Sequence, residues 1–239
     1  MDKSKLVILL LLLFIIGVVS FLNSNYFRVE KVHITGNELL SDKYILKLCE
    51  LEKEINIFNV QQEELANRLV DLPQVKGAVV QRNLPREISI KIQERVPVAV
   101  ISDNSSYLMI DKEGWILDTL NTAANIKLPL FIDKKLKHNK DKVALTENSS
   151  LAVDYLSRLS QKLLQEVQEF KVLSSGEVVL TLREGGKVNL GKDFVIAKKA
   201  KIFNRVYSDI QQKGVGIKYI NLKYNKNIFI EIKNDSDYK

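Results

Sequence analysis

The sequence predicts an α+β protein with a single N-terminal transmembrane helix, a compact unit ordered strand-helix-helix-strand-strand, and a strand-rich mixed α/β domain. Three observations predict this fold class: an uncharged apolar run near the N-terminus, helical and alternating apolar patterns over residues 26–95, and short alternating strands over residues 96–232. The 239 residues are 46% hydrophobic and 27% charged, which is an ordinary globular average and excludes a disordered chain.

The apolar run begins at Leu6 and ends at Leu22, and none of its 17 residues is charged. As an α-helix the run would be about 26 Å long, close to the ~30 Å hydrocarbon core of a bilayer. Tyr26 follows it and suits the headgroup level, so Leu6, Leu22 and Tyr26 are the predicted membrane-anchor residues. Lys3 and Lys5 precede the run, which predicts a cytoplasmic N-terminus by the positive-inside rule.

The alternative for this run is a cleaved signal peptide. The run is longer than the usual apolar region of ~7–15 residues, and the sequence around Ser20 makes a weak cleavage site. A lipoprotein is excluded because no cysteine directly follows the run. We therefore expect a cytoplasmic segment over residues 1–5, a transmembrane helix over 6–25 and a polar tail over 233–239.

Charge and cysteine content limit the possible partners. The net charge is +7, and about +6 remains once Asp2, Lys3 and Lys5 are assigned to the cytoplasm. Outside the membrane such a surface favours anionic lipid headgroups and wall polymers over nucleic acid. The only cysteine is Cys49 and there are two histidines, which excludes an intramolecular disulfide and a Cys/His zinc site.

Residues 26–95 alternate between short apolar strands and amphipathic helices. Capping residues and a proline mark the predicted helix ends. The predicted elements are a strand over 27–34 that is bulged at Glu30-Lys31, a helix capped by Ser41, a helix that starts at Asn59 and stops at Pro73, and two strands over 75–82 and 88–92.

Residues 96–232 contain more strands than helices. Turn residues such as Gly114 and Gly185 separate the alternating segments. The predicted elements are strands over 96–101, 107–110 and 115–117, a Lys-rich loop over 133–148, a helix over 151–163 after a Ser149/Ser150 cap, a hairpin of 178–182 and 188–190, a helix capped by Asp193, and a final hairpin of 217–224 and 228–232 around 225–227.

No catalytic pattern emerges from the sequence: there is no nucleophile elbow, Gly-rich phosphate loop, His-Glu-x-x-His helix or transpeptidase motif. His33 is predicted to be an exposed strand residue, and His138 lies in the Lys-rich loop. Cys49 fits a small core residue, Asp111 a turn acid that accepts backbone amides, and Trp115 a core aromatic residue. We therefore expect a protein that is not an enzyme and has no metal site or cofactor.

Several sequence segments follow one another in an order that matches a known family. Residues 27–98 contain FRVEKVHITGN, INIF, LPQVKGAVVQR and NLPREISIKIQERVPV, and this part resembles a POTRA domain. The segments YLMIDKEG at 107–114, VNLG at 188–191, Lys198-Lys199 and INLK at 220–223 follow. The whole arrangement is similar to the FtsQ/DivIB family of bacterial cell division proteins, except that Asn221 stands where we expect the family to have Asp.

The resemblance implies a bitopic scaffold of the divisome, in the cell membrane and enriched at the division septum. It implies binding to FtsB/DivIC-like and FtsL-like bitopic coiled-coil proteins, and a link from these to septal peptidoglycan synthesis. No nucleic acid or small-molecule substrate is expected. Two alternatives are a POTRA-containing export or assembly module and an anchored cell-wall enzyme.

The final hairpin is the predicted partner-binding site. Edge strands aggregate unless they are covered, and a partner strand can cover them by β-augmentation. Aromatic side chains are enriched at interfaces, which favours the aromatic residues of this hairpin. For Ile228, Ile230 and Ile232, a plain core position is favoured at least as strongly as partner contact. The predicted partner-binding residues are Tyr219, Leu222, Tyr224, Phe229 and Ile230.

Overall fold

A computed structural model of the chain describes residues 3–51, 55–103, 106–122, 126–192, 196–224 and 228–233. The chain forms two compact units, one that extends to Arg95 and one that begins at Val96. Each unit has its own main β-sheet and its own apolar core.

The first helix of unit 1, α1, spans Lys3–Leu22 and is long and apolar enough to cross a membrane once. With 20 residues at about 1.5 Å each, its length is close to the thickness of a bilayer's hydrocarbon core. None of its residues is buried. A helix that is apolar on all sides and has no protein packed around it fits a single transmembrane span.

The rest of unit 1 follows the predicted order strand-helix-helix-strand-strand. Its elements are β1 Lys31–Thr35, α2 Asp42–Leu48, α3 Gln62–Val70, β2 Val75–Asn83 and β3 Glu87–Glu94. Strand β3 lies in the centre of a three-stranded sheet, with β1 parallel to it on one side and β2 antiparallel on the other.

The core of unit 1 comes from the two apolar periodicities of its sequence. Ile88, Ile90 and Ile92 alternate along β3 and are buried, while Leu65 and Leu69 lie one turn apart on α3 and are buried in the same cluster. The sheet and the helices therefore share one core.

Two local predictions for unit 1 are wrong and one is confirmed. Ser41 caps α2 as predicted, because its hydroxyl accepts a hydrogen bond from the helix backbone. The predicted bulge is absent: β1 pairs with β3 in continuous register, and Phe27 belongs to a short 3-10 helix instead. Asn59 does not cap α3, whose N-cap position is held by Gln61 without a side-chain hydrogen bond.

Unit 2 is built on a large mixed sheet. Its elements are β4 Pro97–Asp103, β5 Ser106–Asp111, β6 Ile116–Leu120, β7 Leu130–Ile132, β8 Lys137–His138, β9 Val143–Ala144, α4 Glu147–Ser157, α5 Gln161–Glu166, β10 Val167–Val172, β11 Val178–Leu182, β12 Lys187–Gly191, α6 Ile196–Gln212, β13 Ile217–Asn221 and β14 Phe229–Ile232. The nine strands of the sheet lie in the order β14-β13-β12-β11-β10-β7-β4-β5-β6, while β8 and β9 pair separately.

Alternation along the strands places one set of side chains of this sheet in the core. Leu180 of β11 and Val188 of β12 are fully buried, together with Tyr155 of α4 and Phe203 of α6. Val179, between buried neighbours on β11, is only partly buried. The helices therefore cover one face of the sheet.

The helix predicted over 151–163 is two helices. Helix α4 ends at Ser157 with Arg158 as its C-cap, and the Ser160 hydroxyl then caps α5. The cap of α4 is Thr146 rather than Ser149 or Ser150. Trp115 is half-buried rather than a core residue, with the Lys142 ammonium 5.0 Å from the centre of its ring.

Strands β7 and β10, which lie near the middle of the sheet, were not predicted from the sequence. The Lys-rich segment predicted as a loop contains the short β8–β9 hairpin. The hairpin of β11 and β12 is confirmed. The predicted cap at Asp193, the turn over 225–227 and the tail after Lys233 lie outside the described residues.

Candidate functional site

Strand β14 forms one outer edge of the nine-stranded sheet and pairs with β13 on its inner side. Among the described residues, no strand pairs with its outer side. The terminal hairpin predicted from the sequence is present, with Ile217 opposite Ile232 and Ile220 opposite Ile230.

The backbone of β14 offers hydrogen-bonding groups to solvent. The Lys233 amide donates inward to the Gly216 carbonyl of the preceding chain segment at 2.8 Å. Successive amides of a strand point in opposite directions, so the N–H groups of Ile232 and Ile230 point away from β13. A second strand could pair with them.

Apolar side chains of β14 are exposed on both faces of the sheet. Ile230 is 41% exposed and Ile232 is 43% exposed, although each lies beside a fully or nearly buried isoleucine of β13 on the same face. Phe229, on the opposite face, is 61% exposed. The interpretation of Ile228, Ile230 and Ile232 as core residues is therefore wrong, because the helices do not cover this strand.

The other predicted contact residues fall into two groups. Tyr219 is half-buried on β13 opposite Glu231, and Tyr224 is exposed just after that strand. Leu222 is a correction to the sequence analysis: it is 2% exposed, and its side chain packs in the core of unit 2. Leu222 therefore offers no surface to a partner.

Lys199, named from the sequence only as part of a family motif, is a structural residue near this edge. Its side chain is buried, and its ammonium donates to the Leu190 carbonyl at 2.6 Å and approaches the Lys223 carbonyl at 3.5 Å. It thus joins α6 to the ends of β12 and β13. Its position four residues before the buried Phe203 was the available signal, since residues i and i+4 share a helix face.

Charged pairs flank the apolar edge. The Lys223 ammonium lies 2.8 Å from a Glu177 carboxylate oxygen, and this hydrogen bond raises the pKa of Lys223 and lowers the pKa of Glu177. Lys218 and Glu231 form a second pair at 3.0 Å between β13 and β14. Such charges limit unspecific association of an exposed edge.

Asn221 ends β13 by turning the chain. Its side-chain oxygen accepts a hydrogen bond from the Lys223 amide at 2.9 Å. An aspartate in this place would accept the same bond. Asn221 therefore retains the geometry of the turn and lacks only the negative charge that we expected there.

Comparison with known families decides the identity of the two units. Residues 27–95 match the family model "POTRA domain, FtsQ-type". Residues 99–223, more than half of the chain, match "Cell division protein FtsQ/DivIB, C-terminal". The chain belongs to the FtsQ/DivIB family. The family suggested by the sequence motifs is thus confirmed.

Several relatives in this family align over most of the chain. "Cell division protein DivIB" of Brevibacillus brevis is 28% identical over 209 residues, which cover 84% of this chain and 74% of the relative. The DivIB of Clostridium tetani is 25% identical over 217 residues, covering 87% and 80%. The solved extracytoplasmic domain of DivIB from Geobacillus stearothermophilus is 14% identical, with a TM-score of 0.35 over 49% of this chain and 92% of that domain.

These FtsQ/DivIB relatives are named as cell division proteins, and no catalytic activity is indicated for them. In this chain the reactive residue types considered for catalysis, Cys49 and Asp111, occupy positions that stabilise the fold. Cys49 is buried, and burial raises the pKa of its thiol to about 11 despite the nearby Arg68. The Asp111 carboxylate accepts the amides of Glu113 and Trp115, as predicted for a turn acid.

Each of the two histidines lies beside a single carboxylate on the surface. His33 is exposed on β1, 3.7 Å from a Glu87 carboxylate, as the alternation of that strand predicts. His138 is exposed, 3.4 Å from an Asp103 carboxylate oxygen. Within the described parts of the chain, no three His, Cys, Asp or Glu side chains are grouped so that they could hold a metal ion.

Proposed function

We propose that this FtsQ/DivIB-family chain is a bitopic membrane scaffold of the bacterial division machinery. In this proposal it binds FtsB/DivIC-like and FtsL-like coiled-coil proteins at the β14 edge and connects them to septal peptidoglycan synthesis. The observation that carries the proposal is the outer edge of β14, with exposed apolar side chains on both faces.

The proposed binding mode is addition of a partner strand to β14. The outward amides of Ile230 and Ile232 supply the backbone hydrogen bonds, which give affinity without sequence preference. Phe229 on one face, and Ile230 with Ile232 on the other, supply side-chain specificity. Full burial of a phenyl ring contributes about 1.5–3 kcal/mol, so covering the exposed part of Phe229 contributes about 1–2 kcal/mol.

The proposed topology follows from α1. Residues 1–5 lie in the cytoplasm, residues 6–25 in the membrane with Leu6, Leu22 and Tyr26 as anchors, and residues 26–95, 96–232 and the tail 233–239 outside. Lys3 and Lys5 before the apolar stretch favour this orientation. The anchor and the POTRA domain would position the chain at the septum, and β13 with β14 would bind the partner.

Co-purification of the full-length chain with membrane coiled-coil proteins tests the site. We expect Phe229→Asp to weaken binding about tenfold or more, because it removes the ring and forces a carboxylate into the interface. Leu173→Asp is the matched control, since Leu173 is an exposed leucine of the same unit away from β14. Undiminished binding by Phe229→Asp would remove Phe229 from the site.

Depletion in cells tests the role itself. Loss of a divisome scaffold should give filamentous cells without septa, visible by microscopy with a membrane dye. Re-expression of the wild-type chain should restore septation. Normal division after complete depletion would contradict the proposed role.

A further inference from the structure

The turn over residues 84–86, between β2 and β3, lies at the end of unit 1 where α1 enters it. Because β1 and β3 run parallel with Lys31 opposite Glu87, both strands start at the same end of the sheet. The chain reaches β1 from α1 through the short 3-10 helix Asn25–Phe27, and the turn directly precedes β3. The helix end and the turn are therefore neighbours.

Hydrogen bonds hold this end of the sheet to the segment that follows α1. The side-chain Nδ2 of Asn56 donates to the carbonyl of Leu22, the last residue of α1, at 2.8 Å. The Arg86 guanidinium donates to the Tyr26 carbonyl at 2.9 Å and lies 5.4 Å from the centre of the Tyr26 ring. The sheet end of unit 1 is thus hydrogen-bonded to the end of α1 and to the segment that follows it.

The same end exposes apolar surface. Leu84, in the turn, is 61% exposed, and the rings of Tyr26 and Phe58 are exposed on the segments that contact α1. A single exposed leucine is ordinary on a soluble surface. Here the exposed leucine and two aromatic rings share the end of the domain that carries a membrane-length helix.

We infer that this turn is a second membrane contact, in which Leu84 inserts into the boundary between headgroups and acyl chains beside α1. This inference rests on the membrane span proposed for α1. Tyr26 would lie at headgroup level, where amphipathic aromatic residues are favoured. The surface is continuous with the lipid-facing helix, which identifies a bilayer as its partner.

The contact is mainly apolar. Arg86 is paired with Glu30, and Lys31 lies 3.7 Å from Glu87, so these two cations already have acidic partners. The attraction to lipid then comes mainly from burial of apolar surface. The contact should form on zwitterionic phosphatidylcholine without anionic lipid.

Fluorescence quenching by lipid tests this contact in the full-length chain. Single cysteines replace Leu84, Leu39 and Leu13 in separate variants, and each is labelled with an environment-sensitive dye at pH 7. Cys49 stays unlabelled because it is buried and its thiol pKa is about 11. Leu39 is the matched control, because it is 53% exposed and its amide is bound by Glu94, the last residue of β3, at the opposite end of the sheet.

The chains are reconstituted into phosphatidylcholine vesicles with or without brominated acyl chains. We expect at least about a twofold loss of fluorescence for Leu84→Cys in brominated lipid, and little loss for Leu39→Cys. Leu13→Cys, in the middle of α1, reports the span itself and should be strongly quenched. Equal quenching at positions 84 and 39, or none at 84 while 13 is quenched, would overturn the contact alone. No quenching at 13 would overturn the span as well.

Discussion

Replacement of the buried Lys199 by methionine should destabilise unit 2 at its C-terminal edge. Methionine keeps the length and apolar stem of lysine but removes the ammonium that donates to the Leu190 carbonyl at 2.6 Å. The longer contact to the Lys223 carbonyl, at 3.5 Å, contributes less because it lies at the limit of hydrogen bonding.

The size of the effect follows from these contacts. A hydrogen bond from a charged group contributes about 1.5–3 kcal/mol, and a buried carbonyl left without its donor costs about 1–3 kcal/mol. Removal of a buried charge offsets part of this loss. We therefore expect the free energy of unfolding to fall by about 2 kcal/mol, and the midpoint of thermal unfolding of a unit of this size by about 4–8 °C.

Tryptophan fluorescence of the full-length chain in detergent micelles measures this, because the only tryptophan, Trp115, lies in unit 2. Lys198→Met is the matched control, since the neighbouring Lys198 is exposed on the same helix. Equal midpoints for the two variants would contradict a role of Lys199 in joining α6 to the strands. Partner binding should weaken with Lys199→Met, because the ends of β12 and β13 support β14.

Three further predictions concern the backbone, the charges and the edge. Gly36→Ala should lower the free energy of unfolding by about 2 kcal/mol or more, because Gly36 has a φ of +83° and a Cβ would lie 2.0 Å from a backbone oxygen of β3. Faster reaction of the buried Cys49 thiol with a thiol reagent would measure this loss of stability. Gly77→Ala is the control and should have little effect, because a Cβ there meets nothing closer than 3.9 Å. The hydrogen bond from Lys223 lowers the pKa of Glu177 below its ordinary value of 4.5, so the pair stabilises the fold above pH 4.5, and this stabilisation is lost as the pH falls through the lowered pKa. The free energies of unfolding of wild type and Glu177→Gln should therefore converge at acidic pH. A difference between them that grows with acid would contradict the lowered pKa. Ile230→Pro should weaken partner binding about tenfold or more, because it removes an outward amide together with the Ile230 side chain; Ile230→Ala, which removes the side chain alone, should weaken binding less, and equal binding by the two variants would argue against strand addition.

Patterns that depend on neighbours in sequence predicted much of this fold. The alternation of Ile88, Ile90 and Ile92 identified β3, and Ser41 identified the start of α2, because strand alternation and helix capping are local effects. The apolar stretch that became α1 was predicted for the same reason. The order of the motifs then indicated the family for both units.

Features that depend on distant partners were missed. Strand β7 has only three residues, and its pairing with β4 and β10 defines it, while β10 is defined by its pairing with β7 and β11. The apolar residues around Phe27 alternate as in a strand, yet Phe27 lies in a 3-10 helix. Its side chain packs in the core of unit 1 against residues that are distant in sequence. Local propensity carries no information about such tertiary contacts.

The candidate site shows the same limit. The aromatic residues Tyr224 and Phe229 were predicted at the hairpin from residue type, but the burial of Leu222 depends on packing against the rest of the unit. The exposure of Ile230 and Ile232 depends on where α6 stops covering the sheet. Sequence alone could not tell which isoleucines of the hairpin face a helix.

The position of β14 in the strand order has a consequence for biogenesis. It follows every other strand of its sheet in the chain, and it is the outermost strand. On the proposed topology, export proceeds from α1 toward this strand, so the docking edge exists only after residue 232 has crossed the membrane. A ribosome-bound or incompletely exported chain would therefore be anchored and partly folded but unable to bind a partner at β14. Partner binding at this edge would then require that the chain up to residue 232 has been translocated.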